Sequence, residues 1–235
     1  MDNQLDILAF GAHPDDVELS CAGTILKHIS LGDKVGIIDL TRGELGTRGS
    51  ADIRDKESAN AAQILGVEFR NNMNFRDGFF RNDETHQLEL VKMIREYRPR
   101  IVLCNAIEDR HPDHAKGSSL VSDACFLSGL SKIDTGQEVW RPQFVYHYIQ
   151  FKEIKADFVV DISGFMDKKM DSVLAYASQF YDPNSPEPKT IISSKDFLDS
   201  IKYRASNLGR LSGFEYGEGF TVEKSLAVPS LNSLI

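Results

Sequence analysis

Short apolar runs alternate with amphipathic segments over the first half of the chain. The apolar runs are typical of buried strands and lie at residues 5–12, 33–40, 68–75 and 100–106. Between and after them, apolar side chains recur at three- and four-residue spacing, which predicts helices from residue 17 onward and at 51–65, 86–97 and 115–127. Strands that alternate with helices in this way predict a parallel sheet with helices on both faces.

The second half of the chain is less regular. Its pattern predicts strands at residues 143–150 and 157–162 and helices at 165–180 and 194–211. Residues 182–188 contain three prolines, which exclude a helix or a central strand and predict a rim loop or a subunit contact. We therefore expect one α/β domain over residues 1–235, with a Rossmann-like, mostly parallel sheet and an active site at the C-terminal edge of its strands.

Composition narrows the classes of partner and compartment. The net charge of −8 argues against nucleic acid or an anionic membrane as the main partner. The three cysteines lie far apart in apolar contexts, so we expect reduced core residues. A polar N-terminus and the lack of a long apolar run favour a cytoplasmic location.

Candidate chemistry begins where the first strand meets the first helix. The stretch at residues 11–16 reads Gly-Ala-His-Pro-Asp-Asp, and open α/β sheets present ligands at such strand-to-helix turns. His13 and Asp16, three positions apart, suit a divalent metal. The adjacent Asp15 is then free to act as a general base.

A second cluster has the same local order. Residues 108–114 read Glu-Asp-Arg-His-Pro-Asp-His, directly after an apolar strand and before a helix. Parallel neighbouring strands would bring both turns to the same edge of the sheet, where three nitrogen or oxygen ligands make an open zinc site. A single His-Pro-Asp is more often a helix start, with Asp as the capping residue. Two copies, each after a strand, favour the metal site.

These two motifs resemble the LmbE-like zinc deacetylases, which remove acetyl from N-acetylglucosamine (GlcNAc) conjugates. The resemblance continues through residues 41–46, 54–57, 61–62 and 65–66 and covers about the first half of the chain. It implies a metal-dependent carbohydrate N-deacetylase with Zn²⁺ as cofactor and Fe²⁺ as the alternative. The chain length and the position of Arg110 look most like the branch that acts on N-acetylglucosaminyl-L-malate in bacillithiol biosynthesis.

The resemblance also implies a role for each site residue. His13, Asp16 and His114 fall on the metal positions of the family, and Asp15 falls on its base. His111 matches the residue that stabilises the oxyanion, in its protonated form, and Asp113 matches the carboxylate that supports this histidine.

Two arginines are the candidate substrate-binding residues. Arg54 resembles the family's arginine that points toward a sugar hydroxyl, although a surface pair with Glu57 is the simpler interpretation. Arg110 has the fork geometry that binds a carboxylate of the malate group. The alternative for Arg110 is a salt bridge to Glu108, Asp109 or Asp113.

Other interpretations of the sequence stay open. Residues 41–50 are glycine-rich and form either a rim of the pocket or a plain surface loop. His147, within the aromatic strand, is expected to be structural. The substrate alternatives are a chitin fragment or an inositol conjugate of GlcNAc, and the functional alternatives are a non-catalytic metal-binding protein or a Rossmann-type nucleotide-binding module. The family resemblance also implies a homo-oligomer such as a hexamer.

Overall fold

A computed structural model of the protein describes residues 4–230 and 232. Within these residues the elements are, in chain order, β1 (Ile7–Gly11), α1 (Asp16–Ser30), β2 (Val35–Thr41), α2 (Ala51–Leu65), β3 (Phe69–Phe75), α3 (Glu84–Tyr97), β4 (Ile101–Cys104), α4 (Pro112–Leu127), β5 (Phe144–Tyr148), β6 (Phe158–Asp161), α5 (Met166–Leu174), α6 (Lys195–Ser212) and β7 (Gly217–Val222). The predicted Rossmann-like α/β class is confirmed.

The strands form one sheet in the order β3-β2-β1-β4-β5-β7-β6. The first five in this order are parallel, and β7 runs antiparallel to both of its neighbours. The chain moves outward from β1 to β3 and then returns to place β4 on the other side of β1. This reversal opens a crevice beyond the C-terminal ends of β1 and β4, where open α/β sheets bind ligands.

Both faces of the central strands are covered by helices. All residues of β1 and β2 are buried, as expected for parallel strands between two helical layers. On one face, Leu8 and Phe10 belong to a core that includes α3 and α4. On the other face, Ile7 and Ala9 belong to a core that includes α1. This rigid centre fixes the two turns that follow β1 and β4.

Strand β7 is absent from the sequence-based prediction. It contains two glycines, which made the segment resemble a loop. The sheet requires small residues there, because a Cβ atom on Gly217 would come within 2.4 Å of the Val159 side chain.

Two helix boundaries also differ from the prediction. Helix α5 ends at Leu174, and the backbone N–H of Ser178 then donates to the Glu57 carboxylate at 2.7 Å. Helix α4 begins at Pro112, three residues earlier than predicted, with His111 as its capping residue. Proline suits the first position of a helix because it lacks the N–H that would have no partner there.

The structure also bears on the expectations for the cysteines and for membrane-spanning segments. Cys21, Cys104 and Cys125 are buried and free, as predicted. Among the described residues, no helix has the length and apolar character needed to cross a membrane.

Candidate active site

The turns after β1 and β4 meet at one cavity of about 830 Å³. His13, Asp15 and Asp16 line it from the first turn, and His111 and His114 line it from the second. The two groups of residues are separated by roughly a hundred positions in sequence, and the parallel pairing of β1 with β4 brings them together.

Three of these side chains are the metal ligands predicted from the sequence. His114 Nε2 lies 3.1 Å from one carboxylate oxygen of Asp16, and His13 Nδ1 lies 3.7 Å from the other. Among the described residues, the ligand atoms of His13, His111 and His114 lie within 4.8 Å of one another and make a possible donor set for a metal. Asp16 contacts two of these three histidines. Burial raises the pKa of Asp16, but its contacts with His114 and His13 outweigh that effect and hold the pKa well below the usual range.

The other ring nitrogen of His13 faces two buried carboxylates. His13 Nε2 lies 3.1 Å from Asp77 and 3.5 Å from Asp113. These three residues form a second possible donor set for a metal. A proton on Nε2 satisfies both carboxylates and leaves Nδ1 free for a metal, which is the usual arrangement of a metal-binding histidine with an outer carboxylate.

Asp113 is placed differently from the expectation. Its carboxylate accepts hydrogen bonds from Gly78 N at 2.8 Å and Lys116 Nζ at 2.6 Å, and it faces His13. Only its backbone N–H contacts the His111 ring, donating to Nδ1 at 3.3 Å. The Asp113 carboxylate thus makes its direct contact with His13, and it acts on His111 electrostatically by raising the pKa of that ring.

His111 is suited to donate a hydrogen bond while neutral. Since its Nδ1 accepts the Asp113 N–H, the ring proton of the neutral form belongs on Nε2. Burial, together with the neighbouring His13 and His114, lowers the pKa of His111. Asp16 and Asp113 act in the opposite direction on this pKa. The ring orientation lets the neutral imidazole, as well as the predicted imidazolium, donate to an oxyanion.

Asp15 is buried next to the donor set and is paired with Arg54. The Arg54 guanidinium lies 3.0 Å from the Asp15 carboxylate and also donates to the Pro14 carbonyl. Asp15 has a φ of 115°, a left-handed conformation that few non-glycine residues adopt. Burial raises its pKa to about 7, although Arg54 acts in the opposite direction.

The surface pair of Arg54 with Glu57 does not form. Glu57 is buried and accepts hydrogen bonds from the Ser178 backbone N–H and hydroxyl at 2.7 and 2.8 Å. Arg54 lines the cavity, as the family resemblance implied.

Four site residues were not identified from sequence. Asp109 contacts His114 Nδ1 at 2.5 Å, and Asn105 and Gln150 donate to Asp16 at 3.0 Å each. Asp109 lies within the second motif, so its position beside two histidines was an available signal. Asp77 lies 64 residues from His13, and no local pattern marks it.

The loop after β2 holds Asp77 in place through two hydrogen bonds. Leu45 N donates to Asp77 at 3.0 Å, and the Glu44 carboxylate accepts from Asp77 N at 2.8 Å. Arg48 also lines the cavity, so the glycine-rich segment forms part of its rim.

Arg110 lies in the outer part of the cavity. Its guanidinium is 5.0 Å from the centre of the Phe151 ring. Among the described residues it forms no salt bridge, and Glu108 pairs with Lys152 instead. The predicted alternative of an ion pair with a neighbouring acid is therefore not observed.

Comparisons with known proteins add a family and several relatives. Residues 8–125 match the PIG-L family, described as GlcNAc-PI de-N-acetylase. The chain is 31% identical over 228 residues to diacetylchitobiose deacetylase of Thermococcus kodakarensis, covering 91% of this chain and 81% of that protein. It is 30% identical over 202 residues to a probable N-acetyl-alpha-D-glucosaminyl L-malate deacetylase 2 of Bacillus anthracis, covering 77% and 84%.

A solved structure has the same fold. The crystal structure of a conserved protein from Thermus thermophilus superposes with a TM-score of 0.87 at 36% identity, covering 96% of this chain and 98% of that one.

Proposed function

Because the chain belongs to the PIG-L family of de-N-acetylases, we propose that it is a metal-dependent hydrolase that removes the N-acetyl group of a GlcNAc conjugate. The observation that carries this proposal is the convergence of His13, Asp16 and His114 next to a second buried carboxylate, that of Asp15, which Arg54 holds in place. A binding protein would not need a second, buried and strained carboxylate beside its metal ligands.

The metal would be held by His13, Asp16 and His114. When bound, a divalent metal such as Zn²⁺ or Fe²⁺ supplies Lewis acidity to the amide carbonyl and the attacking water. Asp77 and Asp113 fix the ring of His13, and Asp109 fixes the ring of His114. The ligands are thus oriented before substrate arrives.

Asp15 takes the proton of the attacking water, and Arg54 keeps its carboxylate in place. His111 donates its Nε2 proton as a hydrogen bond to the oxyanion that forms on the acetyl carbon. As the C–N bond breaks, Asp15 returns its proton to the leaving amine. His111 stays neutral throughout and keeps its ring proton.

For the substrate we propose a GlcNAc conjugate with an acidic aglycone, as in N-acetylglucosaminyl-L-malate. The cavity lining includes four cationic side chains that have no carboxylate within salt-bridge distance among the described residues: Arg48, Arg110, Lys189 and Arg204. Arg48 donates to the Ser178 carbonyl and Arg204 donates to the carbonyls of Gln150 and Leu19, so Arg110 and Lys189 are the candidates for binding an anion. The chain as a whole carries a charge of −8, so bulk composition does not account for this cationic wall. An anionic group on the substrate would supply the missing partner.

A second candidate substrate is diacetylchitobiose, the substrate named for one relative. Phe151 is 42% exposed in the outer cavity and stacks on Phe197 with ring centres 6.2 Å apart. Such an aromatic face suits the apolar face of a neutral second sugar.

The test is acetate release from a panel of GlcNAc conjugates that carry malate, a second GlcNAc, inositol or a methyl group. We expect the highest kcat/KM for the malate conjugate. A maximum for diacetylchitobiose would select the second candidate, and no acetate from any conjugate by protein with a full metal complement would contradict the deacetylase proposal.

A further inference from the structure

Two buried side-chain amides enclose the Asp16 carboxylate from behind. Asn105 Nδ2 donates to Oδ2 of Asp16 at 3.0 Å, and Gln150 Nε2 donates to Oδ1 at 3.0 Å. The backbone N–H of His13 adds a third hydrogen bond to Oδ2 at 2.9 Å. Both carboxylate oxygens are therefore held in fixed positions by neutral donors.

The orientation of each amide is determined by its other contacts. Gln150 Oε1 accepts from Asn105 Nδ2 at 3.0 Å and from Ala106 N at 3.1 Å, so its NH₂ group must face Asp16. Asn105 in turn uses its NH₂ group for two acceptors, Asp16 and Gln150. The ends of β4 and β5 thus supply a connected pair of amides.

This arrangement has a local cost. Asn105 Oδ1 is buried and has no hydrogen-bond partner among the described residues. A buried acceptor without a partner is destabilising, and a fold that keeps one usually does so for function. From behind, His147 Nδ1 contacts the Asn105 carbonyl at 3.2 Å and helps to hold the end of β4.

We propose that Asn105 and Gln150 are positioning residues that fix the Asp16 carboxylate as a metal ligand. They prevent rotation of this carboxylate and stabilise its charged form, so that one oxygen stays beside His114. The inference rests on the proposed metal site, and it assigns Asn105 and Gln150 a role in holding one of the ligands of that site.

The test compares two buried glutamines. Gln150 and Gln179 are each 4% exposed, but Gln179 donates to the Arg48 carbonyl and the Ser178 hydroxyl instead of Asp16. Gln150→Met should raise the Zn²⁺ dissociation constant about 10- to 100-fold in equilibrium competition with a chelator. Gln179→Met, the matched control, should leave it within about twofold of the wild-type value.

A second substitution and a second readout separate positioning from packing. Gln150→Leu removes the donor without adding a charge, so it should also weaken zinc binding. The melting temperatures of the metal-free Gln150→Met and Gln179→Met proteins should fall by similar amounts, because both changes bury a thioether in place of an amide.

The inference is overturned if both Gln150 variants bind Zn²⁺ like the wild type, or if Gln179→Met loses as much affinity. If the wild-type protein releases acetate but the Gln150 variants bind Zn²⁺ with unchanged affinity, only the positioning role is contradicted. If the Gln150 variants bind Zn²⁺ more weakly but the wild-type protein releases no acetate, only the proposed deacetylase activity is contradicted. A wild-type protein that binds no divalent metal would overturn both.

Discussion

The guanidinium of Arg54 lies 3.0 Å from the carboxylate of Asp15, the residue adjacent to the metal-ligand candidate Asp16. This contact separates the roles of two consecutive carboxylates. Asp16 is directed toward His13 and His114, whereas Asp15 has a cationic partner of its own. Neighbouring acids in different surroundings can therefore serve as ligand and base.

Substitution of the two aspartates should give different phenotypes. Asp15→Asn should retain the metal and lose about two to four orders of magnitude in kcat, because only the base is removed. Asp16→Asn should instead weaken metal retention, because a charged ligand is lost. Metal content and kcat are measured on the same samples. If the two variants exchanged these phenotypes, the assignment of ligand and base would be reversed.

Arg110 should discriminate between charged and neutral substrates. Arg110→Ala should raise KM for the malate conjugate about tenfold or more, and it should leave a neutral methyl glycoside of GlcNAc nearly unchanged. Arg110→Lys should recover part of the loss, since a point charge replaces a fork. Parallel steady-state kinetics on both substrates check this. Equal losses on both would show that Arg110 supports the loop and does not bind the acid.

The strongest sequence signals were the two His-Pro-Asp motifs. Each follows a buried strand, so its place at the sheet edge follows from local pattern together with parallel pairing. Contacts made across the cavity were not predictable in this way. Asp77 reaches His13 from a turn after β3, and the Asp113 carboxylate contacts His13 because α4 begins at Pro112.

Some of the missed features contradict local preferences. Strand β7 contains glycines that favour a loop in isolation, and the folded sheet explains them because Gly217 lies close to Val159 and Gly219 lies close to Ile149. Asn105 and Gln150 follow the ends of β4 and β5, and no local pattern marks either amide as part of a site. Their function depends on a carboxylate more than 80 residues away in sequence.

His147 should make the stability of the protein depend on pH. It is 3% exposed and contacts Glu223 at 3.0 Å and the Ser118 hydroxyl at 2.7 Å. Burial lowers its pKa, but the contacts with Cys104 and Glu223 outweigh burial and raise the pKa from 6.5 to about 10. A raised pKa stabilises the fold fully below the unfolded value of 6.5, and this contribution is lost as pH rises through about 10.

The free energy of unfolding in urea at pH 6.5 and pH 10 tests this linkage. The wild-type advantage over His147→Gln should shrink by about 1–2 kcal/mol between the two pH values, since Glu223 is partly exposed and the ion pair is screened. An advantage that stays constant would show that His147 contributes by packing alone.

We also predict that the protein forms a homo-oligomer such as a hexamer. Large apolar side chains remain at the surface, including Phe126 at 57% and Phe144 at 42% exposure. Contact between copies would remove such groups from water. Light scattering over a wide concentration range should give a mass that is a multiple of 26.3 kDa. A constant monomer mass across that range would exclude the prediction.

Acetate release by metal-free protein tests the central claim most directly. The protein is stripped with a chelator, shown by elemental analysis to contain no divalent metal, and assayed on the best GlcNAc conjugate before and after addition of one equivalent of Zn²⁺ or Fe²⁺. Since the proposed ligands His13, Asp16 and His114 line the cavity, where a chelator can reach a bound metal, we expect chelation to abolish acetate release and the added metal to restore it. Full acetate release by the metal-free protein would contradict the account.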